Sequence, residues 1–183
     1  ANALLAVGAS PIMDHAKSEI KEMVAISNAV VINIGTLDEY WSESILIAAE
    51  EAHRTNKTWI LDPVGAGATS FRDEVLAKLL PFKPTVVRGN ASEIIALAKA
   101  NKTITKGVDS KAESNEAINA AKYLVENYQC VVCISGATDI IIDDRETYFV
   151  ENGHPLMTKV TGLGCSASAI VGAFAAVSEN KTE

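Results

Sequence analysis

Val160-Thr161-Gly162-Leu163-Gly164-Cys165 puts two glycines and a thiol at the mouth of the apolar run Ala167 to Val177. The pattern predicts a helix over Ser166 to Val177, whose start would expose free backbone N–H groups and the positive end of the helix dipole. Glycines let a backbone close on a phosphate, and a helix start favours negative charge. A second glycine turn, Asp62-Pro63-Val64-Gly65-Ala66-Gly67, follows the strand-like Thr58-Trp59-Ile60-Leu61. Either turn alone could serve only positive φ or close packing. Two in one domain point to phosphate chemistry. Neither fits the dinucleotide fingerprint, because Ser70 and Ala167 stand where the third glycine belongs, and no Gly-Lys-Ser/Thr phosphate loop is present. The site must be of another kind.

The remaining reactive side chains offer less. Cys130 and Cys133 have redox-like spacing, but Val131-Val132 lies between them in a buried-strand pattern. A reactive pair of that type needs a helix start to stabilise its thiolate, so the structural reading is preferred. His15, His53 and His154 show no metal-ligand spacing.

Alternating apolar segments supply the elements that must position these turns. Ala1 to Ala6 reads as the tail of a helix, and Ala9 to Met13 as a turn and short strand. An amphipathic helix is predicted over Ser18 to Ser27, carrying Ile20, Met23, Val24 and Ile26. Strands follow at Ala29 to Ile34, Thr58 to Leu61, Thr85 to Val87 and Val131 to Ile134. Helices at Tyr40 to Arg54, Phe71 to Leu80, Ala91 to Lys99 and Ser114 to Tyr128 alternate with them, and Asn90 could cap the third of these. Lys106 to Ser110 reads as a loop. Asp139 to Ile142 and Thr147 to Val150 pair as a hairpin around Asp144-Arg145.

Repeated strand–helix units with continuous apolar strands mean an α/β fold, a mainly parallel central sheet covered by helices on both faces. Ligands then bind beyond the carboxyl ends of the strands, where Asp62, Arg88 and Ser135 fall. The 183 residues read as a single domain with no internal repeat and no linker. A hydrophobic fraction of 48% with 21% charged residues says globular. The apolar runs fall short of the ~20 residues that span a bilayer, and no signal peptide is visible, so no membrane partner is expected. A net charge of −7 without a Lys/Arg cluster argues against nucleic acid and for a small-molecule substrate. Three cysteines, an odd count, suit a reducing cytosol, and a cytoplasmic location is expected.

Residues just past the strand ends collect into one constellation: Asp62 with Gly65 and Gly67, Arg88-Gly89-Asn90-Ala91-Ser92-Glu93, Ser135-Gly136, and Thr161 to Cys165. It offers carboxylates for Mg²⁺, a guanidinium for phosphate, and an anion cradle. With Gly8-Ala9-Ser10-Pro11-Ile12-Met13, Val31-Ile32-Asn33-Ile34-Gly35-Thr36-Leu37, Lys106-Gly107-Val108-Asp109 and Thr158-Lys159-Val160 added in order, the chain resembles the hydroxyethylthiazole kinase family of the ribokinase-like superfamily.

That resemblance implies a three-layer αβα fold and ATP-dependent phosphorylation of the primary hydroxyl of hydroxyethylthiazole, a thiamine salvage step. It also implies Mg²⁺ and a homotrimer with active sites at the subunit interfaces. Met13 and Gly162 match the family's thiazole-binding positions, and Arg88 and Ser135 its nucleotide-binding ones. Asn90 and Glu93 match an Asn-x-x-Glu pattern that organises Mg²⁺ and phosphate, with Asp62 beside them, all acting through water. Cys165 stands where most superfamily members carry an aspartate base, and Gly162 and Gly164 complete the catalytic turn. Leu163 departs from the alanine or threonine expected between those glycines. Compared with the family, the chain is expected to be incomplete at both termini.

Phosphoryl transfer asks mostly for positioning and charge neutralisation. The N–H groups of Gly162 to Cys165 would face the transferring phosphoryl, and Arg88 would hold nucleotide phosphates bidentately. For Arg88 the alternative is a strand-end salt bridge, for Cys165 a small residue without chemistry, and for Met13 an ordinary core methionine. Competing functions are a kinase of another small alcohol, such as hydroxymethylpyrimidine, and a non-catalytic nucleotide-binding fragment.

Overall fold

The computed structural model describes residues 1–101 and 113–182. The elements run α1 (Asn2–Ala6), α2 (Ile20–Ile26), β1 (Ala29–Asn33), α3 (Glu39–Arg54), β2 (Thr58–Asp62), α4 (Ser70–Leu79) and β3 (Val86–Asn90). Then come α5 (Ala91–Asn101), α6 (Glu113–Tyr128), β4 (Val131–Ser135), β5 (Asp139–Ile142), β6 (Thr147–Val150) and α7 (Leu163–Val177). The loop expected at Lys106 to Ser110 lies outside the described residues.

The six strands lie side by side in chain order. β1 to β4 are parallel, and β5 and β6 return antiparallel as the expected hairpin. Parallel neighbours taken always in the same direction, through right-handed crossovers, put every connecting helix on one face. α3, α4, α5 and α6 accordingly cover that face, with Ile32, Leu61, Val87 and Val132 under them in the main core. α7 crosses the other face over β1 and β2, and α1 lies against it. Ile60, Val86 and Ala175 form the smaller core there. This is a three-layer α/β fold with a mainly parallel sheet.

Contact between α7 and β1 depends on one small residue. A Cβ built at Gly172 would stand 2.5 Å from Cγ2 of Val31. Gly172→Ala should therefore lower stability by about 1–3 kcal/mol, read as a fall in the urea midpoint. Adding Val31→Ala should restore part of it. An unchanged midpoint in the single variant would show that the helix can shift freely.

Two expectations need correction. Ala9 to Met13 forms no strand: Pro11 has no N–H to donate, no neighbouring strand accepts the segment, and Met13 is 83% exposed. The last helix begins at Leu163 rather than Ser166, because Gly162 (φ +76°) turns the chain three residues earlier. The residues of the glycine turn thus belong to the helix itself.

Candidate active site

Alternation along the strands decides which side chains meet α7. Ile60 and Val86 pack under α7, so Asp62 and Arg88, two residues on, project to the same face. Val31 touches the helix and sets Asn33 the same way, paired in register with Asp62. Val131 does likewise for Cys133 and Ser135. Four parallel strands therefore deliver Asn33, Asp62, Arg88 and Ser135 to one edge, beneath the start of α7.

That start is left open. α3 begins with Asp38 accepting from Trp41 N (2.6 Å), and α4 with Thr69 accepting from Arg72 N (3.3 Å). α5 begins with a reciprocal capping box. Asn90 Oδ1 accepts from Glu93 N and Glu93 Oε2 accepts from Asn90 N, both at 2.9 Å. α7 begins on Gly162 with no side-chain cap. Its first intrahelical bond runs from Ser166 N to Gly162 O at 3.0 Å, leaving the N–H groups of Leu163, Gly164 and Cys165 without a capping side chain. Cys165 and Gly164 are exposed.

Arg88 reaches this turn directly, donating from Nη1 to Gly164 O at 2.9 Å. Among the described residues it makes no salt bridge; its partner there is a helix carbonyl. A Cβ on Gly164 would sit 3.2 Å from that same Nη1, a tight contact that the guanidinium would relieve by giving a few tenths of an ångström. Asp62 is 2% exposed and accepts from Asn33 Nδ2 at 2.7 Å. Burial pushes its carboxyl above the usual range and nearby Glu93 adds to this, while the Ser168 hydroxyl, the Arg88 charge and Asn33 pull it back. Ser135 Oγ donates to Gly89 O at 3.3 Å.

Glu93 is bonded at both oxygens, because Oε1 also accepts from Gly65 N at 3.0 Å. It ties the glycine turn after β2 to the start of α5. Among the described residues no three His, Cys, Asp or Glu side chains cluster to grip a metal directly. The donor set does fit Mg²⁺ held through its own water shell. It is all oxygen, and each bonded carboxylate oxygen keeps a second lone pair.

Sequence reasoning grouped Asp62, Arg88, Asn90, Glu93, Ser135, Gly162, Gly164 and Cys165, and the structure sets them at the strand ends and the adjoining helix starts. It missed three. Asn33 was legible as the residue ending β1 level with Asp62. Ser168 was hidden in an apolar helix, one turn beyond Gly164. Arg72 donates to Gly35 O (3.2 Å), Val64 O (2.9 Å) and Ile34 O, stapling the loops after β1 and β2; nothing local marks it. Met13 lies in the exposed segment before α2 and has no described contact with the Gly162 turn.

Cys130 and Cys133 are structural, as expected. Burial pushes their thiols up to about 12 and about 11, respectively. Both folded values lie above that of a free thiol, so the stability they contribute is present below about pH 9. It is lost as pH rises toward 11–12, where the unfolded chain ionises first. The urea midpoint should fall across that window and fall less in Cys130→Ala, measured relative to each protein's own value at pH 8. At pH 8 a thiol reagent should modify Cys165 alone before unfolding. Rapid modification of a second thiol would refute the burial assigned here.

A parallel sheet that aims an acid, an amide and a guanidinium at one uncapped helix start is an arrangement suited to a phosphate-bearing ligand. A sequence profile described as the Hydroxyethylthiazole kinase family matches residues 1–183. The hydroxyethylthiazole kinase of Syntrophus aciditrophicus is 52% identical over 183 residues, covering 100% of this chain and 68% of that protein. The structure of the hydroxyethylthiazole kinase protein from Pyrococcus horikoshii superposes with a TM-score of 0.88 at 44% identity, over 98% of this chain and 66% of that one. An ADP complex of Bacillus subtilis pyridoxal kinase shares the fold, with a TM-score of 0.64 at 21% identity over 94% of this chain and 67% of that one. The chain belongs to the hydroxyethylthiazole kinase family, an ATP-using kinase family. It spans about two thirds of the length of these relatives.

Proposed function

We propose that the start of α7 cradles the γ-phosphoryl of ATP while the primary hydroxyl of hydroxyethylthiazole attacks the γ-phosphorus directly and ADP leaves, the thiamine salvage reaction of the family. The observation that carries this reading is the uncapped first turn of α7, held by Arg88 at Gly164 O. The N–H groups of Leu163 to Cys165 neutralise charge on the transferring group. Arg88 keeps further donors beyond the one spent on Gly164, and these bind the nucleotide phosphates, with Ser135 beside it. Cys165 stands at the open end of the cradle, where it orients the alcohol and takes its proton late.

Asp62, Asn90 and Glu93 would hold hydrated Mg²⁺, which would supply charge screening for the phosphates. The chain's own acids hold that water shell while Glu93 keeps the two glycine-bearing loops in register. Exposed Met13 supports a pocket completed between copies of the chain. In a cytoplasmic homotrimer, Met13 of one protomer forms the thiazole wall opposite the partner's Gly162, giving three equivalent sites.

The reaction is tested by phosphate transfer from ATP to hydroxyethylthiazole, with hydroxymethylpyrimidine as the competing acceptor. Preference for the pyrimidine would overturn the substrate, and no transfer to any alcohol would overturn the activity. The shared pocket is tested by mixing an inactive Met13 variant with an inactive Gly162 variant. Activity should partly return as subunits exchange; none after proven exchange would place the pocket within one protomer.

A further inference from the structure

Arg72 stands in the first turn of α4, where Thr69 Oγ1 accepts its backbone N–H. The positive end of the helix dipole lies there, so nothing in α4 itself favours a cation at this place. Among the described residues its guanidinium forms no ion pair. Its bonds go to backbone carbonyls on two separate loops: Ile34 O and Gly35 O after β1, the latter at 3.2 Å, and Val64 O after β2 at 2.9 Å. The side chain also lies against the second loop, since a Cβ built at Gly65 would meet Arg72 Cδ and Nε at 3.5 Å. The two stapled loops begin at Asn33 and Asp62. Asn33 Oδ1 accepts from Gly35 N at 2.8 Å, which fixes the amide, and Nδ2 then donates to Asp62 Oδ2 at 2.7 Å. These bonds close a ring. It runs from Arg72 through Gly35 and Asn33 to the Asp62 carboxyl, and back along the chain through Val64 to Arg72.

We propose that Arg72 is a positioning residue for phosphoryl transfer: by stapling the loops after β1 and β2, it closes the ring that holds the Asp62 carboxyl beneath the start of α7. A planar fork of donors spans carbonyls on both loops at once, which a lysine ammonium does not reproduce. Without the staple, Gly65 N keeps its bond to Glu93 at 3.0 Å, but the loop after β1 is released. Asn33 then loses the fixed amide on which the aim of Asp62 depends. Arg72 binds neither substrate, so its loss falls on kcat rather than on thiazole binding. This inference rests on the reading that the start of α7 cradles the γ-phosphoryl.

The test compares Arg72→Ala, Arg72→Lys, Asn33→Ala and the double variant Arg72→Ala with Asn33→Ala in the intact enzyme, by kcat, both KM values and the melting temperature. Arg72→Ala and Asn33→Ala should each lower kcat about 10-fold, with KM for hydroxyethylthiazole within about twofold of wild type. Residues acting through one ring are not additive, so the double variant should lose about 10- to 20-fold rather than about 100-fold. Lys keeps the charge without the fork and should stay close to Ala; it takes Ala's place in the cycle if Arg72→Ala does not fold. Leu79→Ala, at a fully buried position in the last turn of α4, is the control for lost stability alone. It should lower the melting temperature and leave kcat near wild type. An active wild type with an equally active Arg72→Ala or Arg72→Lys overturns the proposal alone. So does an additive double variant, a loss carried by KM for the thiazole, or an equal fall of kcat in Leu79→Ala. A wild-type enzyme that transfers no phosphate overturns the underlying reading, and this inference with it.

Discussion

Replacing Cys165 with alanine is expected to lower kcat about 10²-fold, with the melting temperature unchanged. Cys165 is exposed in the first turn of α7, so truncating it removes no core packing and opens no cavity. Its backbone N–H survives the substitution, which leaves the cradle whole and isolates the thiol. Cys165→Asp should keep or raise the rate, because the resemblance to the superfamily places a carboxylate base at this position. The decisive comparison is kcat for the two variants at saturating ATP and thiazole. An alanine variant with wild-type kcat would leave the N–H groups as the whole of the catalytic contribution. An inactive Asp variant beside an inactive Ala variant would mean that a carboxylate so near the incoming phosphates repels them.

Arg88→Ala is expected to raise KM for ATP at least about 10-fold and KM for the thiazole far less. The guanidinium lies at the end of β3 on the α7 face and already contacts Gly164 O. Losing it would remove both the charge proposed to face the phosphates and the contact with Gly164 O in the helix proposed to cradle them. A charge-assisted bond to phosphate is worth about 1.5–3 kcal/mol, which is the order of the KM change expected. Arg88→Lys keeps the charge but not the fork, and should fall between wild type and alanine. Equal losses for both substrates, together with a lower melting temperature, would instead assign Arg88 to holding α7 in place.

Much of this was legible in the sequence because the relevant signals are local. Asp62-Pro63-Val64-Gly65 follows Thr58 and three apolar residues, so its place at a strand end could be read without the fold. Asn90-x-x-Glu93 was equally legible as a helix start, but its chemistry was not. The structure shows Glu93 closing a capping box and binding Gly65 N as well, which makes it a brace between two loops. Arg72 could not be found in the same way. It looks like an ordinary helical residue, and it acquires its role only from the carbonyls of Ile34, Gly35 and Val64, brought up by the loops after β1 and β2. The mistaken strand at Ala9 to Met13 failed for the complementary reason: its apolar residues had no neighbouring edge to join.

By itself the sequence determined most of the elements in order, the parallel sheet and the set of strand-end residues, since periodicity and turn chemistry act over a few residues; the family followed from the resemblance of its motifs. Tertiary structure decided where the open helix start would point. The bond from Arg88 to Gly164 joins residues 76 positions apart, and no spacing rule reaches that far. It exists because Gly172 lets α7 settle against Val31, and because strand alternation turns Asn33, Asp62 and Arg88 toward the same face. Packing, which sums contacts across the whole sheet, gathers a list of suitable residues into the proposed phosphate site.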